Sequence, residues 1–114
     1  MTSKSFHFRS ITDTNIHVVN ICDAENLGKT ISEDDYEIEI SEDYFGGTVI
    51  DENQAIELLK KSDTLNLVGN DIVDLAINLE LVSIESIKKI EGVSFVLIYK
   101  FLQYGLLLIF PIIW

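Results

Sequence analysis

Cys22 is the sole cysteine of the 114-residue chain, and a thiol becomes a nucleophile when a base stands within hydrogen-bond reach. The available bases are His7 and His17. His17 and Cys22 are separated by an odd number of positions, so on one strand they face opposite sides. A hairpin pairing Ile11 with Ile16 would set His17 opposite Ser10 and His7 opposite Asn20, and no Cys–His pair forms in that register. Cys22 is therefore expected to be a small buried thiol, and no catalytic residue is assigned. A single cysteine also excludes an intrachain disulfide and metal sites built on cysteine pairs.

Carboxylates are the other reactive groups in quantity. The formal net charge is −11. Twelve acidic residues and one base, Lys29, lie between Asp23 and Glu57; that stretch sums to −11, and the remaining charges cancel. Such a run could hold a hard cation through its oxygens. The best local test, Asp23-Ala24-Glu25-Asn26-Leu27-Gly28, starts like a calcium loop. It then offers Leu27 where an oxygen is needed and Asp34 where a glutamate is expected. A solvated acidic face is the expectation, with no metal ligand and no cofactor assigned. Gly28-Lys29-Thr30 resembles the end of a phosphate-binding loop, but the position that needs an earlier glycine holds Asp23. Gly46-Gly47 has no GxGxxG pattern around it and reads as a backbone turn.

A negative field of this size repels nucleic-acid phosphates, so extensive direct nucleic-acid contact is not expected. It suits a basic protein partner instead. The candidate partner-binding residues are Glu33, Asp34, Asp35, Glu37 and Glu39. Asn66 and Gly69, in Asn66-Leu67-Val68-Gly69, form a candidate recognition loop between two helices. The plainer reading has Asn66 bridging backbone groups, Leu67 and Val68 packing inward, and Gly69 permitting a turn. The leading function is a non-enzymatic binding or adaptor protein. A small metal-dependent enzyme using the same carboxylates is the alternative.

These groups must be positioned by a core, and 47% apolar residues suffice to build one. Residues 6–11 and 16–22 read as strands of a hairpin around Thr12-Asp13-Thr14-Asn15. Residues 23–28 read as one capped helical turn. Tyr36-Glu37-Ile38-Glu39-Ile40 alternates with period two, placing Tyr36, Ile38 and Ile40 on one face and the glutamates on the other. Residues 41–45 suggest another helical turn, and 48–50 a short strand. Asp51 with Gln54 forms a capping box for a helix reaching about Lys61. Ile72, Leu75, Ala76 and Leu79 mark a second amphipathic helix over 71–81. Residues 84–90 are ambiguous, and 93–101 read as a buried strand. The expected fold is α+β: a small, mainly antiparallel sheet with both helices packed on one face.

Four pieces, in order, are Cys22-Asp23 with Leu27-Gly28-Lys29-Thr30; Ser41-Glu42-Asp43-Tyr44-Phe45-Gly46-Gly47; Asn66-Leu67-Val68-Gly69; and Ile90-Glu91-Gly92-Val93. In this order and spacing the chain, from about Ile16 to Phe101, resembles the archaeal domain-of-unknown-function family 424. The resemblance implies a compact α+β domain in an archaeal cytoplasm and carries no catalytic residue across. Likeness to small archaeal housekeeping proteins implies an association with translation, which the residues themselves do not show.

The resemblance stops near Phe101, and an apolar tail follows. Between Val93 and Trp114 only Lys100 is charged, and the uncharged run from Phe101 to Trp114 falls short of the roughly 18 residues a spanning helix needs. Residues 1–102 are expected to form one domain and 103–114 a separable apolar extension. The N-terminus shows no signal-peptide pattern. The expected localisation is cytoplasmic; the alternative is a tail-anchored or peripheral membrane protein, membrane-associated only through this tail.

Overall fold

The structure, a computed structural model, describes residues 4–13 and 15–100. The chain order is β1 (Ser5–Asp13), β2 (Ile16–Asp23), a 3-10 turn (Ala24–Asn26), β3 (Thr30–Glu33), β4 (Tyr36–Glu39), α1 (Glu42–Phe45), β5 (Thr48–Asp51), α2 (Glu52–Lys61), β6 (Thr64–Val68), α3 (Asn70–Asn78), a second 3-10 turn (Ile84–Ser86), β7 (Lys88–Ile90) and β8 (Val93–Tyr99). Six strands form one sheet in the order β5-β1-β2-β6-β8-β7, and β3 and β4 form a separate hairpin. The expectations for residues 101–114, including the tail, lie outside the described residues.

The fold is α+β, with a mixed main sheet. Pairings β1–β2, β1–β5, β6–β8 and β7–β8 are antiparallel, and β2–β6 is parallel. The parallel pair arises because β5 leaves the sheet edge, α2 carries the chain across β1 and β2, and β6 returns in the same direction.

Both long helices pack on one face, as their single apolar stripes require. Ala55 and Leu59 of α2 and Ile72, Val73 and Ala76 of α3 bury against Phe6, Val19, Ile21, Ile50, Leu65, Leu67, Val96 and Ile98 of the sheet. The capping box of α2 forms: the Gln54 backbone N–H donates to Asp51 Oδ1 at 2.8 Å, and the Asp51 N–H donates to Gln54 Oε1 at 3.0 Å. At its other end, Lys100 Nζ donates to the carbonyls of Leu59 and Lys60, satisfying last-turn acceptors with a cation.

The opposite face of the sheet has a different cover. Ile31, Ile40 and Phe45, with half-buried Leu27 and Ile38, close a second core over Cys22, Val68 and Ile90. The one-turn α1 belongs to this layer, capped by Ser41 Oγ accepting from the Tyr44 N–H at 3.3 Å. Clean alternation in β4 turns Ile38 and Ile40 inward, while Tyr36 overhangs the hairpin end at 66% exposure.

The hairpin register differs from the expected one. Asp13 pairs with Ile16, so His17 faces Thr12 and His7 faces Cys22. Pairing extends two residues beyond Ile11 because Thr12 and Asp13 join the strand rather than the turn. Two further elements escape the sequence patterns. β3 carries one buried residue, Ile31, and β7 is three residues long, both too short for a period to register. α3 ends at Asn78, where Leu79 leaves helical geometry and Glu80 takes a φ of 62°.

Candidate functional site

The polar centre of the fold is a junction at the end of β2. Asp23 is 2% exposed. Its carboxylate accepts from the backbone N–H groups of Asp71 and Ile72, each at 2.9 Å. It thus caps the start of α3, a helix it does not belong to, rather than the 3-10 turn that follows it in sequence. Two otherwise unpaired helix donors and the positive end of the helix dipole are satisfied together. Gly69 makes the approach possible. Its φ is +128°, and a Cβ there would lie 2.3 Å from Asp23 Cγ. Next in the chain, Asn70 Oδ1 accepts from the Ser94 hydroxyl at 2.7 Å and the Ser94 N–H at 3.1 Å. Asn70 Nδ2 donates to the Gly92 carbonyl at 3.0 Å. Cys22-Asp23, Asn66-Leu67-Val68-Gly69 and Glu91-Gly92, distant in sequence, therefore meet at one point.

Burial pushes the Asp23 carboxyl up from 3.8 to about 6, even though the two N–H donors favour its ionised form. Both oxygens are committed to the helix, so this carboxylate acts as a cap. Burial, with Asp23 as neighbour, pushes the Cys22 thiol up to about 12. A fully buried thiol that stays protonated at neutral pH is a poor nucleophile, although the true register places His7 across from it.

Asn66 lies inside β6 rather than in a loop, and Gly69 is buried beneath the start of α3. Leu67 and Val68 pack inward on opposite faces. The segment between the two helices is a central strand, so the expected recognition loop does not form. Its short apolar run, Leu65 with Leu67 and Val68, was the available sign of a strand.

The acidic residues gather on the hairpin layer. Asp34, Asp35, Glu37 and Glu39 are exposed there. Glu33 is instead half-buried and paired with Lys88 of β7 at 3.2 Å. Nearby, the Ser32 N–H donates to Glu91 Oε2 at 3.0 Å; these two contacts tie the hairpin to the sheet edge. Beside it, α1 adds exposed Glu42 and Asp43. Tyr36 and Tyr44, 66% and 61% exposed, belong to the same layer; the acidic composition marks this surface in the sequence, whereas the exposure of its two tyrosines has no local signal there. Among the described residues, no group of three or more His, Cys, Asp or Glu is arranged to hold a metal ion. A groove of about 470 Å³ runs beside α3, walled by Val73, Ile77, Ile84 and Ile87, with Asp74 and Lys89 at its rim. No helix among the described residues is long and apolar enough to cross a membrane.

The architecture is shared with a crystal structure of an uncharacterized conserved protein from Methanopyrus kandleri, at a TM-score of 0.70 and 18% identity, covering 83% of this chain and 90% of that one. At that identity the likeness is one of fold. No curated protein matches the chain significantly. The family described as "Protein of unknown function (DUF424)" matches residues 11–101, a span that includes β2, the Asp23–Gly69 junction, the acidic hairpin and β8, and the chain belongs to this family.

Proposed function

We propose that the protein is a non-enzymatic binding or adaptor module whose acidic hairpin layer engages a basic protein partner in the cytoplasm. The observation that carries this reading is the coincidence of exposed Tyr36 and Tyr44 with Asp34, Asp35, Glu37, Glu39, Glu42 and Asp43 on one layer. Tyrosine supplies contact area at low entropic cost and is enriched where interfaces concentrate their energy. Carboxylates around it steer a cationic partner and exclude acidic competitors. A protein of the translation apparatus, many of which are basic, fits that chemistry.

The test is binding of an arginine- and lysine-rich peptide to the full chain across a salt series. Association should weaken steadily as salt screens the exposed charges. Charge reversal by Glu37→Lys with Glu39→Lys, both on the outer face of β4, should weaken binding about tenfold. Folding stability should change by no more than about 0.5 kcal/mol. Binding indifferent to both salt and these reversals would remove the acidic layer as the interface.

A further inference from the structure

The β3–β4 hairpin is attached to the rest of the molecule at few points. It forms a two-stranded sheet of its own. Asp34 and Asp35 make the turn, and the register runs from Glu33 opposite Tyr36 to Thr30 opposite Glu39. Pairing continues past the strands: the Gly28 N–H donates to the Ile40 carbonyl at 2.7 Å, and the Ile40 N–H donates to the Lys29 carbonyl at 2.9 Å. Both arms of the unit therefore enter and leave at one place. Among the described residues, no backbone–backbone hydrogen bond joins residues 30–39 to the six-stranded sheet.

Two kinds of contact hold the hairpin down. At the sheet edge, Glu33 pairs with Lys88 at 3.2 Å and Glu91 Oε2 accepts from the Ser32 N–H at 3.0 Å. Polar contacts of this sort at the surface each contribute little. Underneath, Ile31 and Ile40, with half-buried Leu27 and Ile38, pack on Cys22, Val68 and Ile90. The neighbouring α1 is held separately. Asn20 Nδ2 donates to the Tyr44 carbonyl at 2.9 Å and Phe45 is buried, which fixes the chain just beyond Ser41. On the other arm, Gly28 has a φ of +91°, and beyond its chain neighbours no heavy atom lies within 4 Å of where a Cβ would stand. The unit is thus bounded by a glycine with open space around it and by the cap residue of a pinned helix.

A pair of strands without a third is marginal in water. This hairpin depends on its seat, yet its departure breaks no ladder of the main sheet. A cooperative unit of that kind opens at lower free energy than the whole fold. We infer that the hairpin, from Gly28 to Ile40, is a flap that leaves the sheet as one unit while the six-stranded sheet and both long helices stay folded, and that its departure uncovers Cys22 and Val68. Asp34, Asp35, Glu37 and Glu39 ride on this flap, so the proposed interface shares its motion. The inference goes beyond the acidic-layer reading and requires no partner.

Cys22, the sole cysteine and fully buried, reports the opening in the full chain. Its labelling by an aromatic disulfide reagent and the exchange of backbone amides are followed at increasing urea. Cys22 and the cross-strand amides of β3 and β4 should give the same opening constant within about threefold. Without urea that constant should exceed the one for β2 and β6 amides by about tenfold or more, and it should depend less steeply on urea. Glu33→Gln combined with Glu91→Ala removes both edge ties. It should speed Cys22 labelling about fivefold and leave β2 and β6 protection unchanged. Cys22 labelling that follows global unfolding, with the urea slope of the β2 and β6 amides, overturns the inference. Exchange of β3 and β4 while Cys22 stays closed overturns it too, because the hairpin then frays without uncovering the sheet. A double variant that loosens β2 and β6 as much as Cys22 makes the edge ties part of the global fold, with the same consequence.

Discussion

The two covers of the main sheet differ in kind. On one side α2 and α3 close a continuous core of thirteen buried residues that draws on five of the six strands. On the other, a hairpin and a one-turn helix close a core of six buried residues, held at its margin by Glu33–Lys88 and Glu91–Ser32. The helical side can be apolar within and unremarkable without, because its job is to bury area. The hairpin side buries little per residue and carries exposed acids and tyrosines outward. On the proposed reading, recognition falls to the hairpin face and most of the apolar burial to the helical one.

The sharpest way to break this contrast is at Gly69, which ties the helical cover to β2. Gly69→Ala forces a side chain into the left-handed φ region and against the Asp23 carboxylate. It should cost about 3 kcal/mol or more in urea unfolding. A loss under about 1 kcal/mol would mean that the junction is not what anchors α3.

A matched pair of core truncations asks whether the covers differ in strength. Leu65→Ala, beneath the helices, should cost about 3–5 kcal/mol, and Ile31→Ala, beneath the hairpin, about 2–3 kcal/mol. Native-state hydrogen exchange should agree, with β3 and β4 amides opening at lower free energy than those of β2 and β6. Equal costs and equal protection would erase the distinction.

The smallest effect is a pH dependence located in the helical cover. The Asp23 carboxyl is raised from 3.8 to about 6 on folding. The folded state therefore binds more protons in that window, and stability falls as pH rises from about 4 to about 6, then levels off. The difference between the wild-type chain and Asp23→Asn should change by about 1–3 kcal/mol across those pH values. Asp23→Asn should also be less stable throughout, because an amide presents one acceptor to the two N–H donors of α3. A difference that is flat with pH would place the proton elsewhere.

Much of the fold was legible locally. The capping box of Asp51 and Gln54, the spacing of apolar residues in α2 and α3, the alternation in β4 and the β-branched run in β2 each declare an element through interactions within a few residues. The acidic stretch likewise showed in composition alone, and most of it is surface. What the local patterns could not reach was decided by contacts far apart in the chain. Asp23 carries the marks of a cap for its own turn, yet the N–H groups it meets come from a helix 48 and 49 residues on. Asn66-Leu67-Val68-Gly69 contains turn-forming residues at both ends, yet pairing with β2 and β8 on either side makes its first three residues a central strand. Glu33 looks like its neighbours until the sheet edge brings Lys88 beside it. Periodicity and capping are properties of sequence because their partners lie within a turn or two. Register, pairing direction and burial of a carboxylate depend on which distant segments share a neighbour, and only the tertiary structure decides that.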